Sequence, residues 1–588
     1  MLLVLFIPLS LISPHLALST TLYLLFGNLK ARHNGLRALK MFRHNCKDVC
    51  AAQQRLLTDI IHKNSATDYG SKFGLATIRS LEDLRKCHPL NTYDHYESYI
   101  DRVTQGEPRV MTSDPSTRLC RSSGTTGRAK LISQDNKILL PKVRAVIKGV
   151  MHENFPKMTI IQRIMKLYIH VSIEESKCGI PVATATAIDP KTMKYLVSYT
   201  IPPEGLLLNN LFDALYIHLL FGLRERSLGV IEATFIMTVE DATRILMSKW
   251  ENLVEDLKTG TIHEGLNLEP WIRSTLSKAL GDGDVTRADE VEVEIRKGPI
   301  GIVKRLWPSI AFIGCIDNLG RKSYLQTNIA AGVPIYSYCY NSSEGAQGVN
   351  LWPFDDDIQF LPFHDVAVFE FIPEEAMDEG EPPTYFLHEV EVGQNYEVAV
   401  TQGCGLYRYR MGDVVRVTGF YRSCPKVSFL YRRAMLLNLD GEKVSQPIVA
   451  DSLKDALTIW PGLILERYCV VESPLVSDVM NTKVRGASPL HYVFFLQLKA
   501  HEGRNLHEVD VQVLSKRVDE GICSRHIRYK QRRINRFSSP EVFLVNDNAF
   551  QDLRKYILKS EKVSAVQMKL PLRLRTPEMV EVMLANLL

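Results

Sequence analysis

The chain has 588 residues, of which 45% are hydrophobic and 23% are charged, a composition typical of a globular protein with roughly two to four domains. Its 71 basic and 66 acidic residues give a net charge of +5, too small to indicate a nucleic-acid-binding protein. The 11 cysteines form no C-x-x-C pair, which argues against a disulfide framework or a structural zinc site.

The N-terminal segment, residues 1–29, contains no Asp, Glu, Lys or Arg and is long enough for a membrane-spanning helix. Basic residues follow from Lys30 to Lys47, and such a flank predicts that the side after the helix stays in the cytosol. A cleaved signal peptide is one alternative, although a basic n-region is missing, and a dispensable leader is another. We predict a membrane anchor over residues 1–29.

Residues 34–62 mix apolar and basic positions without proline, which predicts one amphipathic helix.

Residues 122–130 combine hydroxyls, glycines and a lysine, the residue types of a phosphate-binding turn. Glycine permits backbone conformations in which successive N–H groups face one anion, and lysine adds a point charge suited to phosphate. The spacing is not that of a Walker loop, and a polar surface turn is the alternative for the segment alone. The candidate phosphate ligands are Ser122, Ser123, Gly124, Thr125, Thr126, Gly127 and Lys130. Apolar residues at helical spacing predict a helix over residues 139–150.

A second candidate segment follows the apolar run 332–338, which is typical of a buried strand that ends in a turn. A carboxylate at the end of a strand, beside hydroxyls, suits a Mg²⁺ ion shared with phosphates. Glu344 is therefore a candidate metal ligand, with a capped turn as the structural alternative. The neighbouring candidates for nucleotide contact are Tyr340, Ser342 and Ser343.

In a third segment, tyrosine and arginine alternate from Tyr407 to Arg410 before Gly412 and Asp413. An Asp at the end of such a run can accept hydrogen bonds from ribose hydroxyls. A salt-bridged pair of strands is the alternative reason for a carboxylate at Asp413.

The order and spacing of these segments resemble the adenylate-forming superfamily, and most closely the acyl acid–amido synthetases of the Gretchen Hagen three family. That family includes plant enzymes that conjugate auxin or jasmonate to amino acids, and animal homologues. The resemblance extends from about Asp68 to about Arg573 and includes residues 92–102 and 406–413. Near the C-terminus, residues 567–571 look like the family's lysine-bearing motif.

The resemblance implies an α/β protein with a large N-terminal adenylation domain of mixed sheets, residues 30–433, and a smaller, mobile C-terminal α/β lid domain, residues 434–588. It implies ATP and Mg²⁺ as cofactors. In this scheme Glu344 helps to bind Mg²⁺, Asp413 holds the ribose, and Lys569 stabilises charge at the α-phosphate as the catalytic lysine. Lys443 resembles a nucleotide-contacting lysine just after the hinge.

The implied reaction is the ATP-dependent adenylation of a small carboxylic acid, followed by amide formation with an amino acid. One alternative is an acyl-adenylating enzyme with a thiol acceptor, and another is a non-catalytic, membrane-tethered nucleotide-binding protein. Leu572 separates Pro571 from Arg573, which commonly adjoin in the family, and this departure leaves the acceptor open. We expect small-molecule partners, no nucleic acid, and attachment to the endoplasmic reticulum membrane through residues 1–29 with a cytosolic catalytic domain. Cytoplasmic and luminal locations are the alternatives.

Overall fold

The computed structural model describes residues 14–122, 130–134, 139–156, 162–188, 198–317, 321–479, 490–500, 506–560 and 570–588. The chain forms two compact units. The N-terminal unit extends from its start to Ser122 and contains Lys130–Met411 and Arg416–Ser428, while the C-terminal unit contains Gly412–Val415 and Phe429–Leu588. Both units are mixed α/β, as the sequence predicts.

Among the helices of the N-terminal unit, Leu211–Arg224 is buried over most of its length. These helices are Pro14–Asn45, Val49–Asn64, Asp68–Lys72, Leu81–Cys87, Tyr93–Thr104, Leu139–Asn154, Leu211–Arg224, Ile236–Ser248, Trp250–Thr259, Pro270–Leu280, Val285–Arg296, Ile302–Leu306 and Lys322–Thr327. The helix predicted over residues 139–150 is confirmed by Leu139–Asn154.

The prediction of a single helix over residues 34–62 is wrong, because the segment forms two helices, Pro14–Asn45 and Val49–Asn64, with a short interruption between them. The side chain of Asp48 accepts a hydrogen bond from the Ala51 N–H and so begins the second helix. An N-cap residue inside an amphipathic stretch changes neither its apolar spacing nor its proline content, so the pattern gave no sign of the interruption.

No helix in the described part of the chain is both long and apolar enough to cross a membrane. Residues 1–13 of the predicted anchor lie outside that part.

In the residues that the structure describes, sixteen strands form four sheets that lie wholly or mainly in the N-terminal unit. They are β1 Arg118–Arg121, β2 Leu131–Gln134, β3 Ile164–Leu167, β4 Glu174–Glu175, β5 Pro181–Ala183, β6 Val230–Phe235, β7 Phe312–Ile316, β8 Ile335–Tyr336, β9 Cys339–Ser342, β10 Gly345–Val349, β11 Leu361–Pro362, β12 Ala367–Pro373, β13 Tyr385–Phe386, β14 Asn395–Gln402, β15 Leu406–Tyr421 and β16 Cys424–Arg432. The sheet orders are β2-β1-β5-β4, β3-β6-β7-β8, β11-β10-β9 and β13-β12-β14-β15-β16.

The sheet β3-β6-β7-β8 is parallel throughout. Its strands are short and apolar, as expected for strands that are covered on both faces. Ligands of α/β sheets generally bind beyond the carboxyl ends of parallel strands. The chain leaves β8 directly into β9 and the candidate Glu344 turn, so this sheet leads into one of the predicted site segments.

The C-terminal unit is built on the three-stranded sheet β17 Leu463–Glu472, β18 Tyr492–Ala500 and β19 Glu541–Leu544, in that order. Alternate residues of β18 pack into two different cores, Phe494 into one and Phe495 into the other, as the two-residue period of a strand requires. The helices of this unit are Gln446–Leu457, Ser473–Val479, Val511–Arg525, Ile527–Asn535, Ala549–Ser560 and Pro577–Leu584.

Candidate active site

The predicted phosphate turn connects two antiparallel strands. Arg121 of β1 pairs with Leu131 of β2. Beyond this pair, the Ser122 N–H donates to the Lys130 carbonyl at 2.8 Å, and the Lys130 N–H donates to Ser122 Oγ at 2.8 Å. Ser122 and Lys130 therefore extend the pairing of β1 and β2 by one position, and we call these paired strands the Lys130 hairpin. Ser123, Gly124, Thr125, Thr126 and Gly127 lie outside the described residues.

Tyr93 fixes the lysine end of this hairpin. The Leu131 N–H donates to Tyr93 Oη at 2.9 Å, and Lys130 Nζ lies 5.4 Å from the centre of the Tyr93 ring. The ring therefore offers the ammonium a cation–π contact. Sequence reasoning noted the segment that contains Tyr93 as part of the resemblance but gave this residue no role.

Ser343 and Glu344 form the two-residue loop of the hairpin between β9 and β10, in which Ser342 pairs with Gly345. Gly345 has a φ of 135°, a value that glycine adopts without strain. The Gln347 side chain donates to Ser342 Oγ at 3.1 Å and to the Gly345 carbonyl at 3.2 Å. Glu344 is held at the tip of a braced turn, with a fractional exposure of 8%.

The two hairpins are in direct contact. Gln134, the last residue of β2, donates from Nε2 to the Ser343 carbonyl at 2.9 Å. Cys120 of β1 lies near the same turn. Burial and the charge of Glu344 together raise the pKa of its thiol to about 12, against the effect of a hydrogen bond with Ser343, which lowers the pKa. The predicted phosphate and metal segments are thus neighbours, although 209 residues separate Gln134 from Ser343.

The alternating tyrosines and arginines of β15 have structural roles. Arg408 has a φ of 46°, and its guanidinium is buried against Glu370, with Nη2 and Oε1 2.7 Å apart. Arg410 pairs with Glu397 at 2.5 Å. The preceding Tyr407 is fully buried, and its backbone N–H and carbonyl are hydrogen-bonded to the side chain of Tyr96. This segment therefore holds its strand in place, and its arginine charges are neutralised by buried carboxylates.

Asp413 belongs to the C-terminal unit, where it is 1% exposed. Its Oδ1 lies 2.5 Å from Nε of Arg432. Arg432 is the last residue of β16, and its side chain is 32% exposed. The salt bridge between strands that was the alternative for Asp413 is thus present. The contact between Asp413 and a ribose stays a prediction.

Lys443 follows a sharp turn and has a φ of 58°, in the left-handed region. On either side, Leu437 and Val444 exchange two backbone hydrogen bonds of 2.9 Å. The preceding residue, Glu442, is 1% exposed and accepts hydrogen bonds from the Leu439 N–H at 2.7 Å, from the Asp440 N–H at 2.8 Å and from the Tyr492 hydroxyl. Sequence reasoning missed Glu442, whose partners lie in the turn and on β18.

Lys569 lies outside the described residues, but the residues that follow it are attached to the C-terminal unit's sheet. The Val470 N–H donates to the Leu572 carbonyl at 2.6 Å, and the Leu574 N–H donates to the Val470 carbonyl at 2.8 Å. Arg573 pairs with Glu472 at 2.7 Å. The inserted Leu572 is therefore built into the edge of β17.

Three family models match successive parts of this chain. They are described as the GH3 family N-terminal domain, which matches residues 38–328, the GH3 family central domain, residues 360–432, and the GH3 family C-terminal domain, residues 456–578. The chain belongs to the GH3 family. The predicted family is therefore confirmed, and the matches extend from the first helix of the N-terminal unit to the last helix of the C-terminal unit.

The GH3 chain is similar to enzymes over nearly its whole length. It is 29% identical over 580 residues to a probable indole-3-acetic acid-amido synthetase of Oryza sativa subsp. japonica, covering 92% of this chain and 94% of the relative. It is 27% identical over 586 residues to the 4-substituted benzoates-glutamate ligase GH3.12 of Arabidopsis thaliana, covering 93% and 96%. These names agree with the predicted ligase class.

Among solved structures, the acyl acid amido synthetase AtGH3.15 in complex with 2,4-DB is 25% identical to this GH3 chain and superposes with a TM-score of 0.83. The superposition covers 95% of this chain and 97% of that chain. The α/β fold class, with a large N-terminal and a smaller C-terminal domain, is confirmed.

Proposed function

We propose that this GH3 chain is an acid–amido ligase that uses ATP to adenylate a small carboxylic acid and then transfers the acyl group to an amino acid. In the first half-reaction the carboxylate attacks the α-phosphorus of ATP, which yields acyl-AMP and pyrophosphate. In the second, the amine attacks the acyl carbon and AMP leaves. The observation that carries this proposal is the direct contact between the Lys130 hairpin and the Glu344 hairpin through Gln134.

That contact suits the first half-reaction because one anion must attack another, which requires positive charge and fixed positions. We propose that residues 122–127 and the Lys130 ammonium bind the phosphates. Tyr93 orients the lysine end of the hairpin through its hydrogen bond to Leu131. A lysine held in this way adds charge at a fixed point and needs little rearrangement during the reaction.

The Glu344 turn fits Mg²⁺ by its chemistry. Mg²⁺ prefers oxygen ligands, and protein sites commonly supply one or two carboxylates beside substrate phosphates. Glu344 offers a carboxylate at the tip of a braced hairpin, and the Ser342 and Ser343 hydroxyls lie in the same turn. When bound, the ion would neutralise charge on phosphate oxygens. We propose that Glu344 holds it and that Tyr340, Ser342 and Ser343 border the nucleotide.

For the remaining predicted residues the proposal follows the family resemblance. Residues 30–433 would be the adenylation domain and residues 434–588 a mobile lid. Asp413 would accept hydrogen bonds from the ribose, and Lys443 would contact the nucleotide. Lys569 would stabilise charge at the α-phosphate. Because the residues after Lys569 are bonded to β17, a movement of the lid would carry this lysine with it.

We propose that the acid binds near a row of residues across the parallel sheet. Lys166, Glu232 and Gly314 occupy paired positions on β3, β6 and β7. Lys166 Nζ lies 2.7 Å from Glu232, and both side chains keep partial exposure, 19% and 26%. A Cβ on Gly314 would approach the Tyr338 ring to 3.3 Å, so this glycine leaves space for the ring. An aromatic wall beside a polar pair suits an acid with a ring and a polar substituent.

The test of the reaction is ATP–pyrophosphate exchange by the full chain with a broad panel of carboxylic acids. Exchange that depends on one class of acid, and that falls at least a hundredfold in Lys569→Ala, supports adenylation. Lys555→Ala is the matched control, because Lys555 is an exposed lysine of the same unit that pairs with Asp552 of its own helix. We expect exchange in that variant within twofold of wild type. Adenylation that survives Lys569→Ala undiminished would refute the role of this lysine.

The two alternative functions are separated by the same assay and its extension. Saturable ATP binding without exchange, across the whole acid panel, would favour the non-catalytic nucleotide-binding protein. If exchange is present, product analysis with amino acids and with coenzyme A distinguishes an amide from a thioester. In Lys166→Met, we expect the KM for the acid to rise while the KM for MgATP stays unchanged. Equal changes in both constants would contradict the proposed acid site.

We propose further that residues 1–29 anchor the chain in the endoplasmic reticulum membrane with the catalytic domain in the cytosol. The absence of charged side chains from this segment and the basic residues after it support this topology. Expression with a tag at each end, followed by protease treatment of microsomes, tests it. Protection of the catalytic domain from protease would refute the topology, and release of the chain by alkaline extraction would refute the anchor.

A further inference from the structure

Three side chains that commonly bind metals converge in the N-terminal unit, outside the candidate active site. Cys46 follows the helix Pro14–Asn45, His364 follows β11, and Cys424 is the first residue of β16. The two Sγ atoms and a ring nitrogen of His364 all lie within 4.8 Å of one another. All three residues have a fractional exposure of 0%. We call this group the Cys46–His364–Cys424 cluster.

The hydrogen bonds of His364 prepare its ring to act as a ligand. Nδ1 lies 3.2 Å from the Pro362 carbonyl, which can only accept, so the proton is on Nδ1. The other nitrogen, Nε2, therefore carries a lone pair, and it is buried without a hydrogen-bond partner among the described residues. Metal-binding histidines typically have one ring N–H held by a carbonyl or carboxylate while the other nitrogen binds the ion. An unpartnered buried nitrogen is otherwise costly.

We propose that the Cys46–His364–Cys424 cluster binds a thiophilic divalent cation, for which Zn²⁺ is the natural candidate. Two thiols and an imidazole are soft ligands that favour zinc over calcium or magnesium. Binding would form two Zn–S bonds and one Zn–N bond and release the two thiol protons to solvent. The product is neutral, because two thiolates balance the charge of the ion, and a buried site disfavours residual charge. Asp365, next to His364, pairs with Lys142 at 3.1 Å and leaves that balance unchanged.

Such an ion would act as a structural cross-link. Cys46 and Cys424 are 378 positions apart in the sequence, and the ion would attach the end of an N-terminal helix to the first residue of β16. Neighbouring contacts already join these segments, since the Ser423 N–H and hydroxyl both donate to the Cys46 carbonyl, at 3.0 and 2.9 Å. Three protein ligands leave one position of the usual tetrahedral zinc coordination for water. The spacing of the cysteines predicts no structural zinc site, because such a prediction depends on ligands that lie close together in the sequence.

The first experiment uses the full chain, reduced and freed of metal, titrated with Zn²⁺ in competition with a chromophoric chelator. We expect one equivalent to bind, and Co²⁺ as a probe to give a thiolate-to-metal charge-transfer band. Absence of saturable Zn²⁺ binding by wild type would overturn the proposal. So would a Cys46–Cys424 disulfide that forms in air while the reduced protein binds no zinc, because the cluster would then be a redox pair.

Variants test whether the ion is at this cluster. In the Cys46→Ser/Cys424→Ser double variant and in His364→Gln we expect the Kd for Zn²⁺ to rise at least a hundredfold. Cys315→Ser is the matched control, since Cys315 is a fully buried cysteine of the same unit outside the cluster, and its affinity should stay within threefold of wild type. Equal affinity in all variants would show an adventitious site elsewhere. If the cluster variants do not fold, the wild-type stoichiometry and the Co²⁺ spectrum still decide.

Discussion

The contact between the two hairpins makes Gln134 the most informative residue to change. In Gln134→Leu the side chain keeps a similar size, but the hydrogen bond to the Ser343 carbonyl is lost. If the Lys130 and Glu344 hairpins act together on one nucleotide, we expect this variant to fold normally and to lose activity in the adenylation half-reaction. The loss should include a higher KM for MgATP, because the metal-binding turn is no longer fixed against the phosphate-binding hairpin.

The magnitude follows from the geometry of this one bond. The contact is neutral, 2.9 Å long and only partly buried. A carbonyl left without its partner in such a place costs about 1–2 kcal/mol, toward the lower part of the range for unsatisfied groups. If this energy is expressed in the transition state, kcat/KM for pyrophosphate exchange falls about fivefold to thirtyfold, since each 1.36 kcal/mol corresponds to a factor of ten.

Gln162→Leu is the matched control for this prediction. Gln162 Nε2 donates to the Ser309 carbonyl at 3.1 Å, which is the same kind of bond in the same unit but away from both hairpins. We expect Gln162→Leu to exchange pyrophosphate within twofold of wild type. Exchange by Gln134→Leu within that same range would refute the argument that the two hairpins work as one site. Equal losses in both variants would assign the effect to stability alone.

Three further changes give distinct results. Lys443→Gly should weaken ATP binding in an equilibrium titration while the protein stays folded, because glycine adopts this left-handed backbone without strain. Arg422→Gly, at an exposed residue with a φ of 60° whose Nη1 donates to the Arg43 carbonyl, is the control and should leave ATP binding unchanged. Asp413→Asn should raise the Kd for ATP at least tenfold in folded protein, and Arg432→Met, which breaks the same ion pair, should raise it much less; equal effects would leave Asp413 a structural role only. Burial lowers the pKa of His88 from 6.5 to about 4. As the pH falls, His88 therefore takes up a proton in the unfolded chain before it does so in the folded chain, and the free energy of unfolding decreases between pH 6.5 and pH 4. This residue should contribute on the order of 3 kcal/mol to the loss at pH 4, and urea unfolding of His88→Gln should show a shallower pH dependence.

Local patterns in the sequence predicted the local structure of the site, and they did so for physical reasons. Helical spacing predicted the helix Leu139–Asn154, and the apolar run 332–338 predicted one buried strand that ends in a turn. Within that run the structure has the two-residue strand β8, and the Ser343–Glu344 loop comes only after the further strand β9. These features depend on side chains a few positions apart. The amphipathic pattern over residues 34–62 failed because one capping aspartate decides where a helix begins.

Contacts between distant segments could not be predicted in this way. The alternation around Arg408 indicated a strand, but its buried partner Glu370 is 38 positions earlier. Gln134 had no visible role, because its partner is the backbone of a turn and any residue can offer a carbonyl. The Cys46–His364–Cys424 cluster is hidden for the same reason, since its members become neighbours only when three separate elements pack together.

The turn before Lys443 bears on the proposed contact between this lysine and the nucleotide. A non-glycine residue in the left-handed region costs about 1 kcal/mol, and such a conformation persists only where its surroundings impose it. Here the buried Glu442 carboxylate accepts hydrogen bonds from the turn and from Tyr492, and these bonds hold the turn that precedes Lys443. A glycine would fit this backbone without strain. The turn therefore holds the backbone of Lys443 in one conformation, which is the kind of rigid support from which a side chain can contact a ligand.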